Sequence, residues 1–125
     1  MGTTNLKLSE SILLIICCCL PEIQSKAAES SGERLFLDNC AECHQADGLG
    51  IPNIYPPLAG NELVLGNGLD VALVLIIGRG EMPSFDGAIS SDDMASIINY
   101  VRNSFGNKGE LISASKIESL KQNCN

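Results

Sequence analysis

The chain has 125 residues and a formal net charge of −7, with 8 Lys and Arg against 15 Asp and Glu. Such an acidic balance argues against nucleic acid and against anionic membrane as partners. The length suits one domain, and with no Trp and only 4% aromatic residues the side chains alone build a modest core.

The N-terminal stretch reads apart from the rest. Met1 to Glu10 is polar and contains Lys7, Ser11 to Leu20 (SILLIICCCL) is a short apolar run, and Pro21 breaks it. Ser25-Lys26-Ala27 then offers small residues where a signal peptidase reads. This is the layout of a secretory signal over residues 1–27, and the run is too short to span a bilayer. An uncleaved anchor is the competing reading. Cys17, Cys18 and Cys19 leave with the signal, and Ile16 before Cys17 makes a lipoprotein reading weak. Residues 28–125 then form the domain and keep the net charge of −7. A chain exported in this way is expected in the periplasm.

In that domain, Ser31 is placed to cap a helix that begins near Gly32, with Glu33 and Arg34 in its first turn. Gly32, Phe36 and Cys40 recur every fourth residue and share a face. Residues 45–60 read as loop, with Pro52, Pro56 and Pro57 among glycines. A long segment without secondary structure needs a functional reason, and wrapping a flat cofactor is one. Asn61 to Leu65 reads as a short helix and residues 66–68 as a turn. Asp70 to Ile77 (DVALVLII) is apolar nearly all round, so its period fits a strand or a buried helix; a helix ended by Gly78 is expected. Residues 79–87 return to loop. Ser90 as N-cap, with Asp93 at the capping-box position, opens the clearest amphipathic helix. Met94, Ile97, Ile98, Val101 and Phe105 follow at helical spacing. Residues 106–109 end it, and a last short helix is expected from Ser113 to about Lys121.

Cys40-x-x-Cys43-His44 outside the cytoplasm reads as haem attachment. Cysteines three apart on one helical turn project the same way and reach the two vinyl groups on one edge of a porphyrin. His44 then brings its imidazole under the iron. Two other readings compete. A redox dithiol sits on a βαβ pattern absent here. A zinc site could use Cys40, Cys43, His44 and Cys124, although His44 is the only histidine and no second CxxC exists.

Elimination points to the sixth iron ligand. With one His in the chain, bis-histidine ligation is impossible. Met1 leaves with the signal, and Met94 on the apolar helix face reads as core filler. Met82 stands in a Gly/Pro loop stiffened by Pro83, its competing reading being a Met that fills a core gap. His/Met ligation raises the reduction potential and fills both axial positions, which disfavours catalysis at the iron. The free N–H of His44 needs an acceptor, usually a backbone carbonyl, and the rigid Pro56-Pro57 segment could hold one.

With these residues noted, residues 28–125 resemble the class I c-type cytochromes from end to end. Gly32-x3-Phe36-x3-Cys40-x2-Cys43-His44, Tyr55-Pro56-Pro57-Leu58-Ala59-Gly60, Gly80-Glu81-Met82-Pro83-x-Phe85 and Ile97-x2-Tyr100-Val101 carry the match. The resemblance implies an all-α fold, three to five helices around one covalent haem c, with the N- and C-terminal helices crossing through Gly32 and Phe36 against Ile97 and Tyr100. It implies that the Pro56 carbonyl accepts from His44 and that Leu58 lies against the haem. It makes Tyr55, Phe36, Phe85 and Tyr100 neighbours of the haem or of the crossing. Arg102 to Asn107, with a short helix after it, resembles more narrowly the bacterial periplasmic cytochromes that serve quinoprotein dehydrogenases or terminal oxidases. The lysine-rich surface of mitochondrial-type carriers is missing.

The expected function is one-electron transfer between a dehydrogenase or cytochrome complex and a terminal acceptor. The protein would be a monomer without a membrane span or catalytic residues, docking its redox partners transiently. The alternative is a cytochrome c subunit bound permanently to a quinoprotein dehydrogenase or terminal oxidase. A third reading, a haem gas sensor or peroxidase, needs an open iron site, and Met82 argues against it. Cys124 reads as a tail residue of no consequence, with a free thiol or a dimer disulfide as the other readings.

Overall fold

The computed structural model describes residues 22–124; the apolar run and most of the expected signal lie outside them. The helices are α1 (Glu22–Asn39), α2 (Ala41–His44), α3 (Glu62–Leu65), α4 (Gly68–Ile77), α5 (Ser91–Asn103) and α6 (Ala114–Cys124). Among the described residues there is no strand, only two short antiparallel pairings, Ile51 with Tyr55 and Arg79 with Met82. The fold is all-α, as expected.

Six segments appear where three to five were expected, because the first helix is interrupted at Cys40 (φ −123°, ψ −30°). Hydrogen bonding continues through the break: Cys40 N–H donates to Phe36 O at 2.8 Å and His44 N–H to Cys40 O at 2.9 Å. The chain therefore re-aims at the motif without losing its helical ladder. α1 also begins earlier than expected and runs through Ser31, so Ser31 is no cap. Lys26, Ala27, Ala28 and Glu29 are good helix formers with no Gly or Pro to stop them.

The ambiguous apolar stretch is a helix, α4. The Asn67 side chain caps it by accepting from Leu69 N–H at 3.0 Å, and Gly78 ends it. Ala72, Leu75 and Ile76 are buried while Ile77 is exposed, so one side of this uniformly apolar helix faces out. α5 starts on Ser90, whose hydroxyl accepts from Asp93 N–H at 3.1 Å. It buries Met94, Ile97, Ile98 and Val101. α6 packs on α4 and α5.

α1 and α5 make the main helix pair. A methyl group at Gly32 would lie 2.9 Å from Tyr100 Cβ and 3.1 Å from the Ser96 carbonyl carbon, with the Ser96 oxygen nearer still. Only glycine lets the two backbones come this close. Beside it, the rings of Phe36, Tyr100 and Phe105 form a triangle with centroids 5.4–5.7 Å apart. Phe105 was expected on α5, but the helix ends at Asn103 and Phe105 takes a left-handed backbone (φ 57°). The turn folds its ring back onto Phe36, so burial is gained by leaving the helix.

Two polar side chains fix the C-terminal half. Buried Arg102 donates from Nη1 to Gly66 O at 2.8 Å and from Nε to Glu110 O at 3.2 Å. Buried Asn107 donates from Nδ2 to Leu58 O at 3.0 Å and to Val101 O at 2.9 Å, while its Oδ1 accepts from Gly60 N–H at 2.8 Å.

Candidate functional site

His44 closes α2 and is buried. Its Nδ1–H donates to the Pro56 carbonyl at 3.0 Å. A carbonyl only accepts, so Nδ1 holds the proton and Nε2 keeps its lone pair for a metal. The segment that carries Pro56 is ordered by its own backbone. Gly50 N–H donates to His44 O at 2.9 Å, Ile51 and Tyr55 exchange two hydrogen bonds, and Leu58 and Ala59 N–H both donate to Gly48 O. Gly50 has φ 65°, and a Cβ there would stand 2.7 Å from the Pro56 oxygen. The carbonyl that orients His44 thus sits where only glycine leaves room.

Cys40 and Cys43 are half-buried free thiols on the same turn. Burial, with Cys43 beside it, pushes Cys40 up to about 11. The neighbouring Cys43 side chain pushes the Tyr55 hydroxyl up. Met82 lies on a loop tied to the end of α4. Met82 N–H donates to Arg79 O and Arg79 N–H to Met82 O, each at 3.0 Å. Phe85 N–H donates to Leu75 O at 2.8 Å and the Ser84 hydroxyl to Ile76 O. Met82, Phe85 and Leu58 are partly buried against the core. Met94 is fully buried within it.

A family model described as cytochrome c oxidase, cbb3-type, subunit III matches residues 27–101. The chain belongs to this family of c-type cytochrome domains. Domains of this family hold haem c covalently. The cytochrome is 32% identical over 106 residues to the cytochrome c subunit of alcohol dehydrogenase (quinone) from Gluconobacter oxydans, covering 74% of this chain and 22% of that protein. It is 30% identical to cytochrome c-552 of Thermus thermophilus over 63% of each chain. It is 36% identical to the cbb3-type cytochrome c oxidase subunit CcoP of Rubrivivax gelatinosus over 59% of this chain and 25% of that protein. The chain thus spans about a fifth of the dehydrogenase subunit. Two of these three relatives are named as subunits of a dehydrogenase or an oxidase. Among the described residues no helix of the cytochrome is long and apolar enough to cross a membrane.

The donor set fits a haem. Two thiols share a turn, the next residue is an imidazole held with Nε2 free, and a thioether stands on a tied loop. The competing readings lose ground. A Cys40 thiol raised to about 11 is the opposite of the acidic thiol of a redox dithiol. Among the described residues no three His, Cys, Asp or Glu gather to hold a metal ion, and Cys124 is exposed at the end of α6.

Sequence reasoning missed the roles of two residues that hold the site in place, Gly50 and Asn107, and of Arg102, which fixes the C-terminal half. Gly50 was one glycine among several in a loop. Asn107 was read as part of a helix stop and of the narrower resemblance, with no bonding role, yet it joins Leu58 and Gly60 to α5. Arg102 continues the Met94–Ile98 spacing on the buried face, and a cation in that register was the signal available.

Proposed function

We propose that the protein is an exported monohaem electron carrier in which Cys40 and Cys43 hold the haem as thioethers while His44 Nε2 and Met82 Sδ complete the iron coordination. The observation that carries this reading is the 3.0 Å hydrogen bond from His44 Nδ1–H to Pro56 O, which leaves the other ring nitrogen for the metal and fixes the plane of the ring. When bound, the haem supplies a one-electron Fe(II)/Fe(III) couple. The chain's own residues do the rest. The 45–60 segment holds His44 at one position, the Arg79–Met82 pairing holds the thioether, and Leu58, Tyr55 and Phe85 cover the cofactor's flanks. With His44 and Met82 both holding the iron, the bound haem would offer neither substrate nor small ligand a free place on the metal.

Residues 1–27 serve as the export signal, so the mature protein works in the periplasm, and it does so as a monomer. It passes electrons between a dehydrogenase or cytochrome complex and a terminal acceptor through transient docking. The relatives named as dehydrogenase and oxidase subunits favour a second reading, a cytochrome c subunit that stays bound to such a complex.

Expression with a c-type maturation system tests the first reading. Red protein should keep its haem in acidified organic solvent, and a weak far-red iron–sulfur band should vanish in Met82→Ala alone. Pigment released into the solvent would overturn covalent attachment, and an unchanged variant spectrum would remove Met82. A tight complex on isolation from the native cell would select the second reading.

A further inference from the structure

We propose that a cavity of about 350 Å³ between the start of α4, the end of α5 and the start of α6 binds a phosphate-type oxyanion. Gly68, Leu69, Arg102, Glu110, Ile112 and Lys116 line it, and none of Cys40, Cys43, His44 or Met82 does. Arg102 carries the argument, being only 3% exposed. Its Nη1 and Nε donate to the carbonyls of Gly66 and Glu110, while Nη2 makes no hydrogen bond among the described residues. No buried side-chain nitrogen there is sealed from solvent without a partner. Nη2 therefore reaches open space, and the space that Arg102 lines is this cavity. Among the described residues no carboxylate forms an ion pair with Arg102 or with Lys116. A buried guanidinium that meets only carbonyl dipoles lacks a full counter-charge, which is costly. An anion in the cavity supplies it.

The two helix starts point the same way. Lys116 stands in the first turn of α6, which holds no acidic residue, and a cation there opposes the helix dipole unless an anion lies beside it. At the start of α4, Asn67 accepts from Leu69 and Asp70 N–H, which leaves the Gly68 N–H without an acceptor among the described residues. A Cβ on Gly68 would stand 3.4 Å from Arg102 Nη1, so the guanidinium and this helix start are neighbours. Donors thus come from three helices. A tetrahedral oxyanion turns an oxygen to each, whereas a planar carboxylate serves one plane. Glu110 is the one carboxylate of the lining, and Asp70, in the first turn of α4, lies outside it. Arg102 and Lys116 against Glu110 leave the cavity positive on a chain of net charge −7.

The test titrates inorganic phosphate into reduced, isotope-labelled holoprotein at constant ionic strength, with chloride as the balancing salt, and follows the amide and guanidinium NMR signals. The Gly68 N–H and Arg102 Nε–H signals should shift together and saturate, and chloride alone should move neither. Lys116→Gln should weaken the binding about tenfold, the loss of one charge-assisted contact. Glu110→Gln should tighten it, because the carboxylate of the lining is gone. Lys108→Gln, a lysine outside this cavity, should leave it unchanged. Methyl phosphate binding as well as inorganic phosphate would assign the site to the phosphate group of a larger molecule, and binding of the inorganic ion alone would assign it to free phosphate. Shifts that never saturate, or that chloride reproduces, would overturn the site. Equal losses in Lys116→Gln and Lys108→Gln would overturn it too, since binding would then follow overall charge. Acetate binding as tightly as phosphate would overturn the oxyanion class.

Discussion

Replacing Gly32 by Ala puts two effects of opposite sign against each other. Gly32 lies inside α1, and by helix propensity alone Ala is better there by about 1 kcal/mol. The added methyl, however, would stand 2.9 Å from Tyr100 Cβ and 3.1 Å from the Ser96 carbonyl carbon, where carbon atoms prefer about 3.5–4.0 Å. Neither neighbour can swing aside, because one is backbone and the other is the root of a side chain. α1 and α5 must separate by roughly 0.5–1 Å to reach that range. Overpacking of this kind costs about 1–3 kcal/mol. The separation also loosens the Phe36–Tyr100 and Phe36–Phe105 contacts, at 5.5 and 5.4 Å, each worth roughly 0.5–1.5 kcal/mol. The steric side wins, and a net loss of about 2 kcal/mol is expected. For a domain of this size that lowers the melting temperature by roughly 10 °C. Thermal unfolding of the holoprotein, followed by far-ultraviolet circular dichroism, measures it. Gly68→Ala is the comparison: its methyl would meet Arg102 Nη1 at 3.4 Å and Ile112 Cβ at 3.5 Å, ordinary contacts, so its stability should equal or exceed that of the natural chain. A Gly32→Ala protein as stable as the natural one would refute the close helix crossing.

Further outcomes follow from other residues. Gly50→Ala should cost about 1–3 kcal/mol from its left-handed backbone and its crowding of Pro56 O; by weakening the His44 hydrogen bond it should also raise the reduction potential, which protein-film voltammetry reads. Asn107→Leu would leave Leu58 O, Val101 O and Gly60 N–H without their partner, for a loss of about 2–4 kcal/mol in denaturant unfolding. Ser90→Ala removes the α5 cap and should cost about 1 kcal/mol; a much larger loss would mean that the serine holds more than the helix start.

Where short-range chemistry decides the outcome, the sequence was readable. Ser90 with Asp93, followed by Met94, Ile97, Ile98 and Val101, names both the start and the buried face of α5, because capping and amphipathic period are local. The CxxCH motif was readable for the same reason. Asp70 to Ile77 was ambiguous because an all-apolar run has no period, and the Asn67 cap that makes it a helix lies outside the run. The break at Cys40 had no local cause to see, since no Gly or Pro marks it. Phe105 was misplaced because its pull toward Phe36 is tertiary and outweighs the helix register. Arg102 and Asn107 were passed over because their partners, Gly66, Leu58 and Gly60, lie tens of residues away along the chain.

The Asn107 side chain spans 47 residues to reach Gly60 and 49 to reach Leu58. Each of these bonds closes a loop of nearly fifty residues, an entropic cost that the folded core must offset. One amide thus ties the strap around His44 to the turn after α5, so a disturbance of that turn is passed on to the segment that carries Pro56.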